Sequence, residues 1–260
     1  MKMIPGLNLI FATGWMSCGS VLSGQGTAKL EELEKDSPLA FLDELESSAA
    51  ATVGWDSIYL AEGRDDLGDG GLYFAEFAGE AGPLAVGTWY ADGTSVDYNE
   101  WNLFAELGFE LAEDLDAYVG FTYLAFFEGG DKSEDREAGA GLAYRIGNSL
   151  EAAADFVYSF EAEGSFVELA LASPLELADG FGVAPYALLG LDFGYRTEEY
   201  DGFNHFQVGL DAEYALGDRF AVGAYAAYAF ALEDIDREED ETGESIGDNP
   251  AFGVFASLGF

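Results

Sequence analysis

One histidine, His205, is the only side chain of the 260 residues whose ordinary pKa suits acid–base work near neutrality. It stands beside Asn204 and near Asp201, so a hydrolase is the first chemistry to weigh. A lipase of the barrel type needs Ser, His and an orienting Asn converging on one face. Neighbours in a strand point to opposite faces, so Asn204 is not expected to orient His205, and no Ser-Asn-Gly element accompanies them. A protease reading would pair His205 with Asp201 at a rim, and the other members of such a site are missing. The expectation is a polar, inward-facing histidine and no enzyme. The single cysteine, Cys18, excludes an intrachain disulfide and a thiolate metal cluster. It follows Trp15-Met16-Ser17, where a lipidation motif would want leucine at Trp15. The stretch 233–249 carries nine acids and opens with Asp234 and Asp236 like a calcium loop. Glu239 takes the position where such a loop requires glycine, so a solvated acidic loop is expected, with diffuse attraction for divalent ions as the alternative. The sequence holds no phosphate loop, dinucleotide glycine motif or Cys/His metal spacing. No catalytic residue, metal site or cofactor is expected.

What remains chemically distinctive is charge. Fifty Asp plus Glu stand against 10 Lys plus Arg, a net charge of −40, while 49% of the chain is hydrophobic and 15% aromatic. A disordered acidic chain lacks such aromatics. A nucleic-acid partner is excluded because phosphate binding needs Lys and Arg. A helical membrane protein shows apolar runs of about 18 or more residues. Only the first 23 residues approach that, and Pro5, Asn8, Gly14 and Gly19 interrupt them. The 34 glycines also argue against helices and for an all-β domain.

Alternation of period two begins past residue 50 and defines twelve segments, starting near 51, 71, 84, 99, 116, 137, 151, 165, 182, 203, 220 and 251. In 101–111, Trp101, Leu103, Ala105, Leu107, Phe109 and Leu111 share one face, and Asn102, Phe104, Glu106, Gly108 and Glu110 share the other. Short turns alternate with longer acidic connections at 64–70, 91–98, 128–136, 161–164, 197–202 and 233–249, as in outer-membrane barrels. The apolar parity carries no Asp, Glu, Lys or Arg in any segment. The opposite parity carries Asp56, Glu76, Glu106, Glu110, Asp116, Asp155, Glu168, Asp192, Asp211 and Glu213, with Arg145, Arg196 and His205, and most of the strand glycines. These observations predict a closed antiparallel transmembrane β-barrel of about 12 strands, apolar face outward and polar face lining a lumen. Phe252, Val254, Leu258 and the final Phe260 alternate outward in the last strand, the pattern of a C-terminal assembly signal read by the barrel-assembly machinery. Residues 1–23 read as a signal peptide, with an ordinary N-terminal helix as the alternative, and 24–50 as an acidic periplasmic linker with helical propensity. Residues 51–260 are expected to form the barrel.

The first segment, Gly54-Trp55-Asp56-Ser57-Ile58-Tyr59 with Gly63 after it, leads on to Gly82-Pro83-Leu84, Gly87-Thr88-Trp89-Tyr90 and Asp97-Tyr98-Asn99-Glu100. With these motifs the chain resembles bacterial outer-membrane porins of the TorF type over residues 51 to 260, with Glu62 where that family carries Arg. The resemblance implies a barrel with a pore-like role and no catalytic residues. Lumenal acids outnumber lumenal arginines, so a wet lumen should gather cations and repel anions. The expected function is passive passage of small cationic or neutral solutes across the bacterial outer membrane, with membrane lipid as the surrounding partner. Twelve strands give a narrow bore, which Phe74, Trp89, Phe104 and Tyr186 would narrow further. Two alternatives stand beside it: a non-conducting structural or adhesive barrel, and a soluble acidic β-protein secreted by a salt-loving organism.

Overall fold

The computed structural model describes residues 47–68, 70–197, 201–243 and 245–260. The signal-peptide segment and residues 24–46 of the linker lie outside them. Twelve antiparallel strands close into one barrel. They are β1 (Ser47–Asp56), β2 (Leu72–Ala81), β3 (Leu84–Gly93), β4 (Tyr98–Ala112), β5 (Leu115–Glu128), β6 (Asp131–Ile146) and β7 (Leu150–Ser159). There follow β8 (Ser165–Ala172, resuming as Leu175–Ala178 past Pro174), β9 (Phe181–Phe193), β10 (Asp201–Ala215), β11 (Phe220–Ala231) and β12 (Asn249–Gly259). β1 pairs with β12 from Ala50↔Gly259 to Asp56↔Gly253, which removes both sheet edges. Closure is what lets a sheet stand in hydrocarbon, because every strand amide then has a partner within the wall.

The faces are sorted as the alternation predicts. Trp101, Leu103, Phe77 and Val254 point out, each about half exposed at 50%, 50%, 52% and 51%. Such a belt is stable only against lipid. The indole N–H of Trp101 is kept satisfied on this face by Thr88 Oγ1 at 2.6 Å. Tyr90 packs edge-on against Trp101, and Trp55 against Phe252.

Four local expectations need correction. The connection 128–136 is not a loop: β5 and β6 run on to a two-residue turn at Gly129 and Gly130, whose φ values of 58° and 92° are those of a type I′ hairpin turn. The extended β6 places Lys132, Glu134 and Arg136 on the outward parity, so that face is charge-free only over the belt. At about 3.4 Å per residue its 16 residues run roughly 50 Å, which at a tilt of about 40° rises about 40 Å, well past the ~25 Å apolar band, so these charges stand beyond the lipid. Stretch 233–249 begins not as a loop but as a helix, α1 (Glu233–Thr242). Acids in its first turn suit the helix N-terminus, Ile235 is buried beneath it, and Gly243 at φ 73° ends it. Finally, β1 stops at Asp56, and the chain from Ser57 turns inward instead of extending the strand.

The inner face is packed by rings seated on glycines. Phe104 lies over Gly87 and Tyr186 over Gly209, both across adjacent strands, and a Cβ on either glycine would fall inside the ring. Tyr186 also accepts a 2.9 Å hydrogen bond from Gln207 Nε2. Gly209→Val should therefore overpack the wall and cost about 1–3 kcal/mol. The check is the temperature at which the folded, fast-migrating gel form converts to the unfolded one. An unchanged transition would mean that Tyr186 does not need that seat.

Candidate functional site

The barrel mouth opposite the described ends of the chain is filled by the segment after β1. Leu60–Ala61 and Arg64–Asp65 pair as a small hairpin whose turn, Glu62 and Gly63, has φ values of 42° and 82°. Residues 59–64 are buried. On one side Tyr59 packs against Trp89 and Tyr98 and donates to Glu100 Oε2 at 2.7 Å. On the other, Leu60 packs with Ala229 and Ala251, and Gly63 lies against the His205 ring. The hairpin thus spans the bore from the β3–β4 wall to the β10–β12 wall.

Two arginines fasten it. Arg64 donates to Asn204 Oδ1 at 2.7 Å and to Glu238 Oε2 at 2.8 Å, with Asp234 of α1 at 3.5 Å. Arg196 reaches Asp66 at 2.5 Å and Glu62 at 3.3 Å. Alternation predicts Arg196 on a lumenal strand face. It lies instead in the connection after β9, because β9 ends at Phe193, and it points in from above.

Asn204 and His205 correct a second expectation. The β9–β10 register shifts between Gly190 and Leu191, leaving Asn204 unpaired as a β-bulge. The bulge turns both side chains inward, and Asn204 Nδ2 lies 2.9 Å from His205 Nδ1. Strand alternation forbids this pairing, and one extra residue permits it. Asn204 is also spent on Arg64 and on the Glu62 carbonyl at 2.6 Å, and the His205 ring stacks on Phe166. The pair supports the hairpin.

Below the hairpin the register puts Asp56, Glu76, Glu106, Asp155, Glu168, Asp211 and Glu213 on the inner wall with His205. Asp192 also faces in at the end of β9 and accepts the backbone N–H groups of Tyr195 and Arg196 at 2.7 and 3.0 Å. Glu110, Asp116 and Arg145 gather at the opposite rim, where Arg145 binds Asp116 at 2.9 Å and Asp114 at 3.4 Å. Four further partners stand outside the set that alternation predicts. Glu100, with hydrogen bonds from Tyr59, Tyr98 and Asn102, and Glu137, bound by Tyr195 at 2.6 Å, both hold the inward parity of their strands. That parity was the available signal. Glu62 and Arg64 had none, since nothing local says that their loop folds inward. A small cavity lies under the hairpin, lined by Glu62, Tyr118, Asp155, Val157, Phe166 and Glu168.

Burial pushes the Glu62 carboxyl up from its usual 4.5 to about 7, helped by Asp66 and Glu100 and opposed by Arg196 and Arg64. Asp234 is likewise raised, to about 6, by burial first and then by Asp192, against Arg64.

No protein-family model matches the chain, and no curated protein matches it in sequence. Solved structures do match in fold. The KdgM porin shares 7% identity at a TM-score of 0.56, covering 81% of this chain and 99% of its own. A KdgM porin in complex with disordered oligogalacturonate aligns at 0.54 with 8% identity, over 82% of this chain and 99% of its own. The NanC porin aligns at 0.53 with 10% identity, over 81% and 98%. At such identities the likeness is one of fold: a porin-like outer-membrane β-barrel.

Proposed function

We propose that this chain is a porin-type channel of the bacterial outer membrane, akin to the TorF-type proteins its motifs resemble, that passes small cationic and neutral solutes passively. The observation that carries the reading is the sign of the inner wall. Carboxylates recur from Glu110 and Asp116 at one rim, through Glu106, Asp155 and Glu168, to Glu100 and Asp192 at the other. Among the described residues, inward basic side chains are confined to the two ends: Arg145 at one, Arg64 and Arg196 at the other. A wall of this sign concentrates cations and repels anions. Oligogalacturonate, bound by one KdgM porin structure, is a polyanion, and this wall opposes it. The outward Phe252, Val254, Leu258 and Phe260 support recognition by the barrel-assembly machinery.

In planar bilayers under a KCl gradient, the reversal potential should take the sign of K⁺ preference. Chloride preference would overturn the lumenal assignment. A second reading, a non-conducting structural barrel, draws support from Trp89, Phe104, Tyr186 and Leu188, which are 7%, 8%, 5% and 1% exposed and pack the bore. Absence of any current favours it over the channel.

A further inference from the structure

We propose that the cavity beneath the hairpin is a binding subsite for a small organic ammonium ion, a primary alkylammonium. The proposal rests on the cation-preferring reading above and gives that route a ligand class.

Asp155 and Glu168 sit directly opposite each other on β7 and β8. Like charges in that relation destabilise a sheet unless something between them compensates. Their other cross-strand neighbours, Gly141 and Gly190, have no side chain with which to do so. Tyr118 donates its hydroxyl to Asp155 Oδ1 at 2.7 Å. Glu168 is 6% exposed, lines the cavity, and its Oε1 has no hydrogen-bond partner among the described residues. A buried carboxylate oxygen left without a donor is costly, so this arrangement calls for a donor inside the cavity. Glu62 closes the cavity from above, but its charge is already met by Arg196 at 3.3 Å. Asp155 and Glu168 therefore present the carboxyl pair that a donor in the cavity would meet, with Glu168 Oε1 the atom left without one.

The rest of the wall decides which cation fits. The rest of the lining comes from Phe166, Tyr118, Val157 and Phe156. Ring faces attract ammonium groups and leave an alkyl tail in an apolar setting. The cavity volume is about 30 Å³, enough for an ammonium head and too little for a sugar ring. Among the described residues no three acids or histidines converge as ligands for one metal ion. An ammonium head, with three rotatable N–H donors, can reach carboxylates that do not converge.

The probe is n-butylammonium chloride, titrated by calorimetry into the full chain in detergent at constant ionic strength, with sodium chloride as the comparison. Saturable binding is expected, weakened at least tenfold by Glu168→Gln and also by Asp155→Asn, and unchanged by Asp218→Asn in a turn far from the cavity. Heat-modifiable gel mobility verifies that each variant is folded. If Glu168→Gln does not fold, Asp155→Asn carries the test. No saturable heat from the ammonium salt, or equal affinity in wild type and both cavity variants, overturns the subsite. The KCl reversal potential of the same preparations keeps the two claims apart. Cation preference without ammonium binding leaves the channel reading intact and removes the subsite. Ammonium binding with anion preference or no current keeps the subsite and removes the channel reading.

Discussion

Replacing Arg64 with alanine is expected to raise the rate of tryptic cleavage at Arg237 roughly a hundredfold while leaving the barrel intact. Arg64 is nearly fully buried, as is its partner Asp234, and it joins the hairpin to β10 through Asn204 and to α1 through Glu238. Removing one member of a buried pair strands the other's charge and costs about 3–5 kcal/mol. Glu238 is partly exposed and regains some hydration, so the lower figure of about 3 kcal/mol is the better guide. At 1.4 kcal/mol per factor of ten, that multiplies the undocked population of α1 about a hundredfold, and proteolysis follows that population when reclosing is fast. Arg237 lies in the middle of α1 and is protected only while the helix holds. Arg64→Lys should fall between the two, because a point ammonium cannot reach Asn204 and Glu238 at once as the guanidinium fork does. Cleavage at Arg219, in an exposed turn at the other rim, is the control and should not change. An unaltered rate at Arg237 would mean that α1 is fastened by something other than Arg64.

The contrast between Arg64 and the strand residues marks where the sequence can be read. The two faces of β4 and β10 meet different solvents, so Trp101, Leu103 and Leu107 alternate with Asn102, Phe104 and Glu106 with no need of tertiary information. The barrel, its inverted polarity and the inner wall all follow from that rule. The hairpin does not. Ile58, Tyr59 and Leu60 read as a continuation of β1, and only contacts with distant strands turn them inward. Its turn places a non-glycine residue, Glu62, at φ 42°, which no local preference announces. The bulge at Asn204 is one unpaired residue in a 15-residue strand, too small a break to disturb the period. Helix α1 buries Ile235 as its single large apolar side chain, so it carries no stripe to mark it as helical. Glu137 was hidden because the acidic run before it resembles a loop, although its parity matches Gly139 and Gly141. Local alternation therefore gave the wall, while the parts that close the mouth depend on long-range ion pairs.

Acidification is expected to favour the docked hairpin, with the docked-to-undocked ratio rising more than about tenfold between pH 8 and pH 5. Glu62 is 5% exposed in the docked hairpin, where burial raises its carboxyl from 4.5 to about 7. Undocked and in water it returns to its ordinary value. Arg196 and Arg64 face it as cations, Asp66 and Glu100 as acids, and Glu137 and Glu168 also feel its charge. Between the two values the docked state binds more protons than the undocked one, so its stability falls as pH rises. The contribution is fully present below about 4.5 and is lost as pH climbs through about 7. Protonation weakens the pairing of Glu62 with Arg196, but that loss is already contained in the net upward shift. Asp234, raised to about 6 by burial and by Asp192, adds in the same direction from the α1 side. A spin label at Asp236→Cys reports through its mobility the docking of α1 onto the hairpin's Arg64, and the open fraction of single channels reports docking of the hairpin independently wherever the barrel conducts. Glu62→Gln removes the main titrating group and should flatten most of the pH dependence, leaving the smaller step from Asp234. A hairpin that loosens on acidification would show that the Glu62–Arg196 attraction outweighs the cost of burying the Glu62 charge.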